Sequence, residues 1–323
     1  MRVLLIDPID PSGVDLLREK SEVRVCAESS LESIRRDARN ADAVITRSRL
    51  PDDFFDFAPQ ARAVTIHGTG TDLVPLAAAT ARGVAVAHLP GVNAQSVAEY
   101  CVLAMLMLAR NAFEITTRIR TRPWDETRAL GARAREISAM TAGIVGVGAI
   151  GTRVAKICRN GFGMRVLGNQ RRLDRLPPEA EPAALERLLA EADIVVVTCP
   201  LTPETHHLFN RKRLAAMKRS AWLINVGRGA VVEESALVEA LREKTIAGAM
   251  LDVYEHYRLD AGHPLLALDN VILTPHLSAM TRESRARMGV LAAEETLRML
   301  AGGRPRHFAN PEAWEAFKLR SST

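Results

Sequence analysis

The sequence holds only four cysteines, at positions 26, 101, 158 and 199, and no two of them form a C-x-x-C pair. A zinc knuckle, a thioredoxin-like dithiol and a dense disulfide framework are therefore disfavoured, and reduced, mostly buried thiols are expected. Aromatic residues are also sparse, with three tyrosines and three tryptophans. No run of four or more Lys or Arg occurs, so the clustered cations and stacking platforms of a nucleic-acid surface are missing. The longest apolar stretch, residues 101–109, is about half the ~20 residues of a membrane span. The N-terminal apolar run, Val3–Ile6, is too short for a signal-peptide core. A cytoplasmic protein without nucleic-acid or membrane partners is expected.

What is present suits a folded protein. Of 323 residues, 47% are hydrophobic and 25% charged, and at roughly 150 residues per domain the length suggests two domains. Basic residues exceed acidic ones by 43 − 38, a net charge of +5. Only six of the 43 are lysine, so 37 are arginine, spread along the whole chain. A single arginine pair is weak evidence against that background, and small anions are the ligand class that the charge favours.

The patterning alternates strand and helix. Strands are expected at Val3–Ile6, Glu22–Cys26, Ala43–Thr46 and from Val64 to Ile66, with helices at Val14–Lys20 and Leu31–Arg39 between them. Such spacing indicates a mainly parallel sheet. One long helix without internal Gly or Pro is expected over Ser96–Arg120, followed by a polar connection to about Met140. A second alternating series then begins, with strands before Gly146 and at Arg165–Leu167, Ile194–Val197, Trp222–Asn225, Ala249–Leu251 and Val271–Leu273. Helices at Pro182–Ala190, Glu234–Glu243 and Arg282–Leu300 complete it.

The second series opens on Gly146-Val147-Gly148-Ala149-Ile150-Gly151. Placed between a strand and a helix, this G-x-G-x-x-G permits a tight turn at Gly146, close approach of a pyrophosphate at Gly148 and close helix packing at Gly151. The N–H groups of Ala149 and Ile150 open the helix, whose N-terminus favours an anion. The next strand ends at Gln170-Arg171-Arg172, where an NAD-specific site has an acid that grips the ribose hydroxyls. Paired guanidiniums would instead attract a 2′-phosphate. NADP(H) is therefore favoured over NAD(H).

Further motifs follow in order. They are Pro90–Asn93, Ser96–Glu99, the Thr198-Cys199-Pro200 segment running to Thr205, Leu223–Val232 with its N-x-x-R-G, Ala249–Tyr254 with L-D-V, and Leu273–Ser278 with T-P-H. Together they resemble the D-isomer-specific 2-hydroxyacid dehydrogenases over about residues 40–300. The resemblance implies an α/β protein of two Rossmann-like doubly wound parallel-sheet domains, the nucleotide-binding one inserted into the substrate domain. Residues 1–93 plus 285–323 would form the substrate domain and 94–284 the dinucleotide-binding domain. An active site in the cleft between them and a homodimer built largely through the nucleotide domain and the 121–140 arm are also implied.

The same resemblance assigns roles. Arg228 would hold an α-keto acid's carboxylate and polarise its carbonyl, and His276 would donate a proton to that carbonyl as hydride arrives. Asp252 would bond the nicotinamide carboxamide, while Thr198, Cys199, Pro200 and the backbone of Val226 would face the cofactor. The family's glutamate falls five residues after the aspartate, and here that position is Tyr257. Tyr257 is expected to face His276 and to shift the active pH range, because it lacks the carboxylate's charge. Glu255 is the other residue that could serve. Gly68, Thr69 and Gly70 match the loop whose N–H groups bind substrate carboxylate. Arg47 and Ser48 match a pair that lines the cleft in phosphoglycerate-type members, though Arg47 reads equally as a solvated strand-end residue. His67 beside the glycine loop is a weaker cleft candidate. His206-His207 reads as a polar helix start after Pro203, since no spaced carboxylate or cysteine accompanies it, and no metal site is expected.

The expected activity is reduction of a small 2-keto acid such as glyoxylate or hydroxypyruvate. A phosphoglycerate-type dehydrogenase is an alternative, disfavoured because the chain leaves no room for an added regulatory domain. A dinucleotide-sensing protein with weakened catalysis is another, supported only by Tyr257.

Overall fold

Short runs of Val, Ile, Leu and Ala become parallel strands whose alternate side chains enter cores on opposite faces. In the computed structural model, which describes residues 1–28 and 30–321, the chain divides into two units, Met1–Asn93 with Met280–Thr323, and Ala94–Ala279.

The first unit holds five strands, β1 (Arg2–Leu5), β2 (Glu22–Val25), β3 (Ala43–Thr46), β4 (Ala63–Ile66) and β5 (Ala85–Ala87), in the order β2-β1-β3-β4-β5. This is the flavodoxin-like version of the doubly wound sheet, with its switch point between β1 and β3. Leu4, Val44, Val64 and Ile66 pack on one face with Phe54 and Phe55. Val3, Leu5 and Ile45 pack on the other, against Ala292, Met299 and Phe317 from the C-terminal segment. Helix Arg282–Leu300, capped by Thr281 Oγ1 accepting from Ser284 N at 3.1 Å, thus covers one face of a sheet begun almost three hundred residues earlier.

The second unit holds seven parallel strands in the order β12-β11-β10-β9-β6-β7-β8. They are β6 (Thr141–Val145), β7 (Arg165–Asn169), β8 (Glu181–Pro182), β9 (Ile194–Val197), β10 (Trp222–Asn225), β11 (Gly248–Leu251) and β12 (Val271–Leu273). Counted from β6 this is the order 3-2-1-4-5-6 with one strand added, the dinucleotide-binding arrangement, and its switch point lies between β6 and β9. Val145, Val195, Val197, Leu223 and Leu251 fill one core, while Ile144, Val196, Ile224 and Met250 fill the other.

The single helix expected over Ser96–Arg120 is two helices, Ala94–Ala109 and Ala112–Arg118, bent by 62°. Asn111 sits between them at φ +50°. A short polar side chain tolerates that left-handed turn without glycine, so composition gave no warning of it. The polar connection after it contains a helix, Trp124–Ala129, and two single 3-10 turns, Leu130–Arg133 and Ile137–Ala139. Among the described residues no single helix is long and apolar enough to cross a membrane.

Candidate active site

In the second unit the candidate residues gather at the carboxyl ends of the strands. The glycine loop follows β6 and the Thr198-Cys199-Pro200 segment follows β9, on either side of the switch point. Gly146 has φ +95°, and a Cβ there would fall on the backbone of Cys199. Thr198 Oγ1 donates to Gly146 O at 2.6 Å, which ties the two loops together. A Cβ on Gly151 would come within 2.6 Å of Gly146 O, whereas one on Gly148 would meet nothing within 4 Å. Helix Ala149–Lys156 starts there with no side-chain cap and no acid in its first turn. Among the described residues no side chain caps its first N–H groups, which fits them for the phosphates of a dinucleotide. Cys199 is buried, and burial pushes its thiol up to about 11, so it stays neutral. The Val226 N–H already donates to Val197 O at 3.2 Å, which leaves that residue only its carbonyl for a ligand.

At the end of β7 Asn169 is held inward by a bond from Nδ2 to Ala183 O at 2.9 Å. Gln170 Nε2 donates to Arg172 O at 2.9 Å, and Arg172 pairs with Asp174 at 3.2 Å. Arg171 is exposed and close enough to Glu204 to help lower its carboxyl pKa, after the bond from Thr202.

Arg228 follows β10. The buried Asn225 side chain shapes its loop, with Oδ1 accepting from Gly227 N at 3.1 Å and Nδ2 donating to Arg228 O at 3.1 Å. A Cβ on Gly229 would fall on the Tyr254 carbonyl. Only glycine lets the arginine loop lie this close to the segment after β11.

That segment begins with Asp252, whose side chain is fully buried. Its carboxylate accepts from Thr274 Oγ1 at 2.8 Å, Leu277 N at 2.8 Å and Ser278 N at 2.9 Å, and its carbonyl accepts from His276 N at 2.9 Å. Tyr254 Oη donates to Thr274 O at 2.8 Å, and the Tyr100 hydroxyl bonds Thr274 Oγ1. Asp252 thus fastens the T-P-H loop, with at most one carboxylate lone pair left for a cofactor amide. His276, at φ +53°, is presented exposed at the end of β12.

The two candidates for the family glutamate separate. The Tyr257 ring meets the His276 ring edge to face, with centroids 6.1 Å apart. Glu255 is turned elsewhere: Oε1 lies 2.7 Å from His207 Nε2 and Oε2 accepts from Glu234 N at 3.2 Å. His206 and His207 stand in a turn, not at the expected helix start, and a carboxylate does accompany them. Asn225, Thr274, Tyr100 and Tyr254 were not singled out from the sequence. The asparagine of N-x-x-R-G was the one available signal, since an Asn closing a strand readily bonds the backbone two residues on.

In the first unit Arg47 and Ser48 follow β3 and Asp7 follows β1, at that sheet's switch point. Asp7 accepts from the N–H groups of Arg47 and Ser48, each at 2.8 Å, and from Ser48 Oγ at 2.6 Å, so the Ser48 hydroxyl is already engaged. Gly68–Gly70 follows β4, where Leu89 N donates to Gly68 O at 2.8 Å and Thr69 Oγ1 donates to Leu89 O at 3.2 Å. His67 is buried, with no hydrogen-bond partner for either ring nitrogen among the described residues. Burial, and then the nearby Arg47 guanidinium, lower its pKa to about 4, which keeps the ring neutral.

Residues 102–278 match the family described as D-isomer specific 2-hydroxyacid dehydrogenase, NAD binding domain. A glyoxylate reductase from Thermofilum pendens is 38% identical over 315 residues, covering 94% of this chain and 93% of its own. A glyoxylate/hydroxypyruvate reductase B from Yersinia pestis is 37% identical over 82% of both chains. Among solved structures, the NADPH-dependent glyoxylate/hydroxypyruvate reductase of Sinorhizobium meliloti, in complex with NADP and malonate, superposes with a TM-score of 0.84 at 27% identity and covers 97% of each chain.

Proposed function

This chain belongs to the D-isomer-specific 2-hydroxyacid dehydrogenase family, a family of nicotinamide-dependent oxidoreductases, and we propose that it reduces a small 2-keto acid, glyoxylate or hydroxypyruvate, with NADP(H) in preference to NAD(H). The observation that carries the reading is the double hold of Asp252 on residues 274–278. His276 thereby lies at the same carboxyl end of the second sheet as the Arg228 loop and the glycine loop, since all three follow parallel strands.

When bound, the nicotinamide supplies or accepts the hydride. Arg228 holds the substrate carboxylate with its planar fork and draws electron density from the neighbouring carbonyl. The His276 imidazolium gives its proton to that carbonyl oxygen in reduction and recovers it in the reverse direction. Tyr257 flanks the ring where the family pattern has a carboxylate. Residues 94–279 serve as the nucleotide-binding unit, and Arg171 and Arg172 meet the 2′-phosphate. The four buried free cysteines suit a reducing cytoplasm. A homodimer is supported by the exposed apolar side chains of Leu103, Leu106, Phe113, Ile119 and Trp124, which crowd one stretch of the second unit.

Oxidation of NADPH in the presence of glyoxylate, hydroxypyruvate, pyruvate and phosphohydroxypyruvate tests the proposal. Turnover with the first two is expected. Cofactor binding without turnover of any acid would make the chain a dinucleotide sensor instead.

A further inference from the structure

Among the described residues one group of three metal-ligating side chains comes together: His206, His207 and Glu255. Their donor atoms all lie within 4.8 Å of one another. The two imidazoles stack with centroids 4.0 Å apart and planes 27° from parallel, and His207 Nε2 is 2.7 Å from Glu255 Oε1.

Local bonds hold the backbone that carries each donor. His207 has φ +49°, and its N–H donates to Ala230 O at 2.8 Å. The turn that carries His206 is closed by Thr202 N donating to Thr205 Oγ1 at 2.7 Å and by His206 N donating to Thr202 O at 2.9 Å. Glu255 is bracketed by Glu234, whose N–H donates to Glu255 Oε2 and whose Oε2 accepts from Glu255 N, both at 3.2 Å. The other oxygen of Glu234 lies 3.0 Å from His263 Nε2. Glu234, itself beside His263, thus orients the Glu255 carboxylate as an outer partner orients a metal ligand.

We propose that His206, His207 and Glu255 bind a divalent zinc-like cation, with a fourth position left to water. Two imidazole nitrogens and a carboxylate oxygen suit Zn²⁺, and three protein ligands plus an open position are a familiar zinc arrangement. Bonds of about 2.0–2.2 Å in a tetrahedron bring donors to ~3.3 Å from one another. The exposed His206 ring rotates in, and the His207–Glu255 pair opens from 2.7 Å to about 3.3 Å once the proton between them is gone. The proton that joins Nε2 to Oε1 passes to solvent, and both lone pairs turn to the cation. The ion ties the 202–207 turn to the segment after β11, two residues before Tyr257. This binding is independent of which keto acid the enzyme reduces.

The test is a titration of tag-free, full-length protein with Zn²⁺ against a chromophoric chelator. One equivalent should bind, and His206→Ala and Glu255→Gln should each weaken binding by at least ~10-fold. His88→Ala should bind as the parent does, since that histidine meets His307 edge to face in the other unit and belongs to no metal-ligating group among the described residues. All four cysteines are buried and do not compete. No zinc uptake by the parent protein, or equal uptake by His206→Ala, would overturn the proposal. Should Glu255→Gln fail to fold, the exposed His206 variant decides alone.

Discussion

Tyr257 and His276 meet edge to face, with ring planes 73° apart, and both hold a left-handed backbone, φ +61° and +53°. That conformation costs a non-glycine residue roughly 1–2 kcal/mol. Of the five such residues among those described, His207 is a third in the same part of the second unit. Strain of this kind persists only where the surroundings impose it. Here Asp252 imposes it on His276 through the His276 N–H.

Placing a carboxylate at the tyrosine should move the pH dependence of turnover. A neighbouring negative charge favours imidazolium over imidazole, and reduction consumes the protonated ring. In Tyr257→Glu the basic limb of kcat/KM for keto-acid reduction should therefore rise by about one pH unit. Tyr257→Phe should displace it downward, because a hydroxyl able to bond the imidazolium is lost. Profiles of both variants that overlay the parent's would remove Tyr257 from the site.

Arg228→Ala should lower kcat/KM by ~10²–10³, the usual cost of a lost donor to a polarised carbonyl. Arg228→Lys should recover only a small part, because an ammonium cannot replace a two-pronged guanidinium. Steady-state kinetics with glyoxylate reads both, and full recovery by lysine would mean that the planar fork plays no part.

The arginines after β7 should discriminate between cofactors. Charge-assisted bonds contribute about 1.5–3 kcal/mol each, so Arg171→Ala combined with Arg172→Ala, which removes two, should weaken NADPH binding by ~10²–10⁴-fold. NADH binding should hardly change. Fluorescence titration of each reduced cofactor measures this, and tighter binding of NADH by the parent protein would refute the preference.

His67 should make the first unit acid-sensitive. Its pKa falls from 6.5 to about 4 on folding, through burial and then Arg47 and Arg285, with Asp7 and Asp10 opposing. The unfolded chain therefore takes up the proton first as pH falls. The stability due to the neutral ring is complete above pH 6.5 and is lost progressively down to about pH 4. The loss amounts to about 3 kcal/mol. Urea unfolding at pH 7 and pH 4.5 should show this decline in the parent and a much smaller one in His67→Asn.

Local signals read well from the sequence. The glycine loop, the N-x-x-R-G and the T-P-H each need only a strand followed by a turn, and each sits at a strand end as expected. Contacts between distant segments did not read. Nothing near His207 in the chain announces Glu255, 48 residues away, because the meeting depends on β10 and β11 lying side by side. The hold of Asp252 on Leu277 and Ser278 depends likewise on β11 beside β12. The break at Asn111 was hidden because it uses neither glycine nor proline, the two residues that announce a helix break. The order β2-β1-β3-β4-β5 does not follow from the sequence, since alternation alone does not say on which side of β1 the third strand is laid.

The obstacle to a side chain at Gly229 is main chain, the carbonyl of Tyr254 and the nitrogen of Glu255. A clash between side chains can be relieved by trimming the neighbour, but every residue at positions 254 and 255 brings the same carbonyl and nitrogen. Gly229→Ala is thus expected to yield no second-site suppressors at the positions it touches in a genetic selection. Lineages that keep the arginine loop in this place are held to that glycine irreversibly.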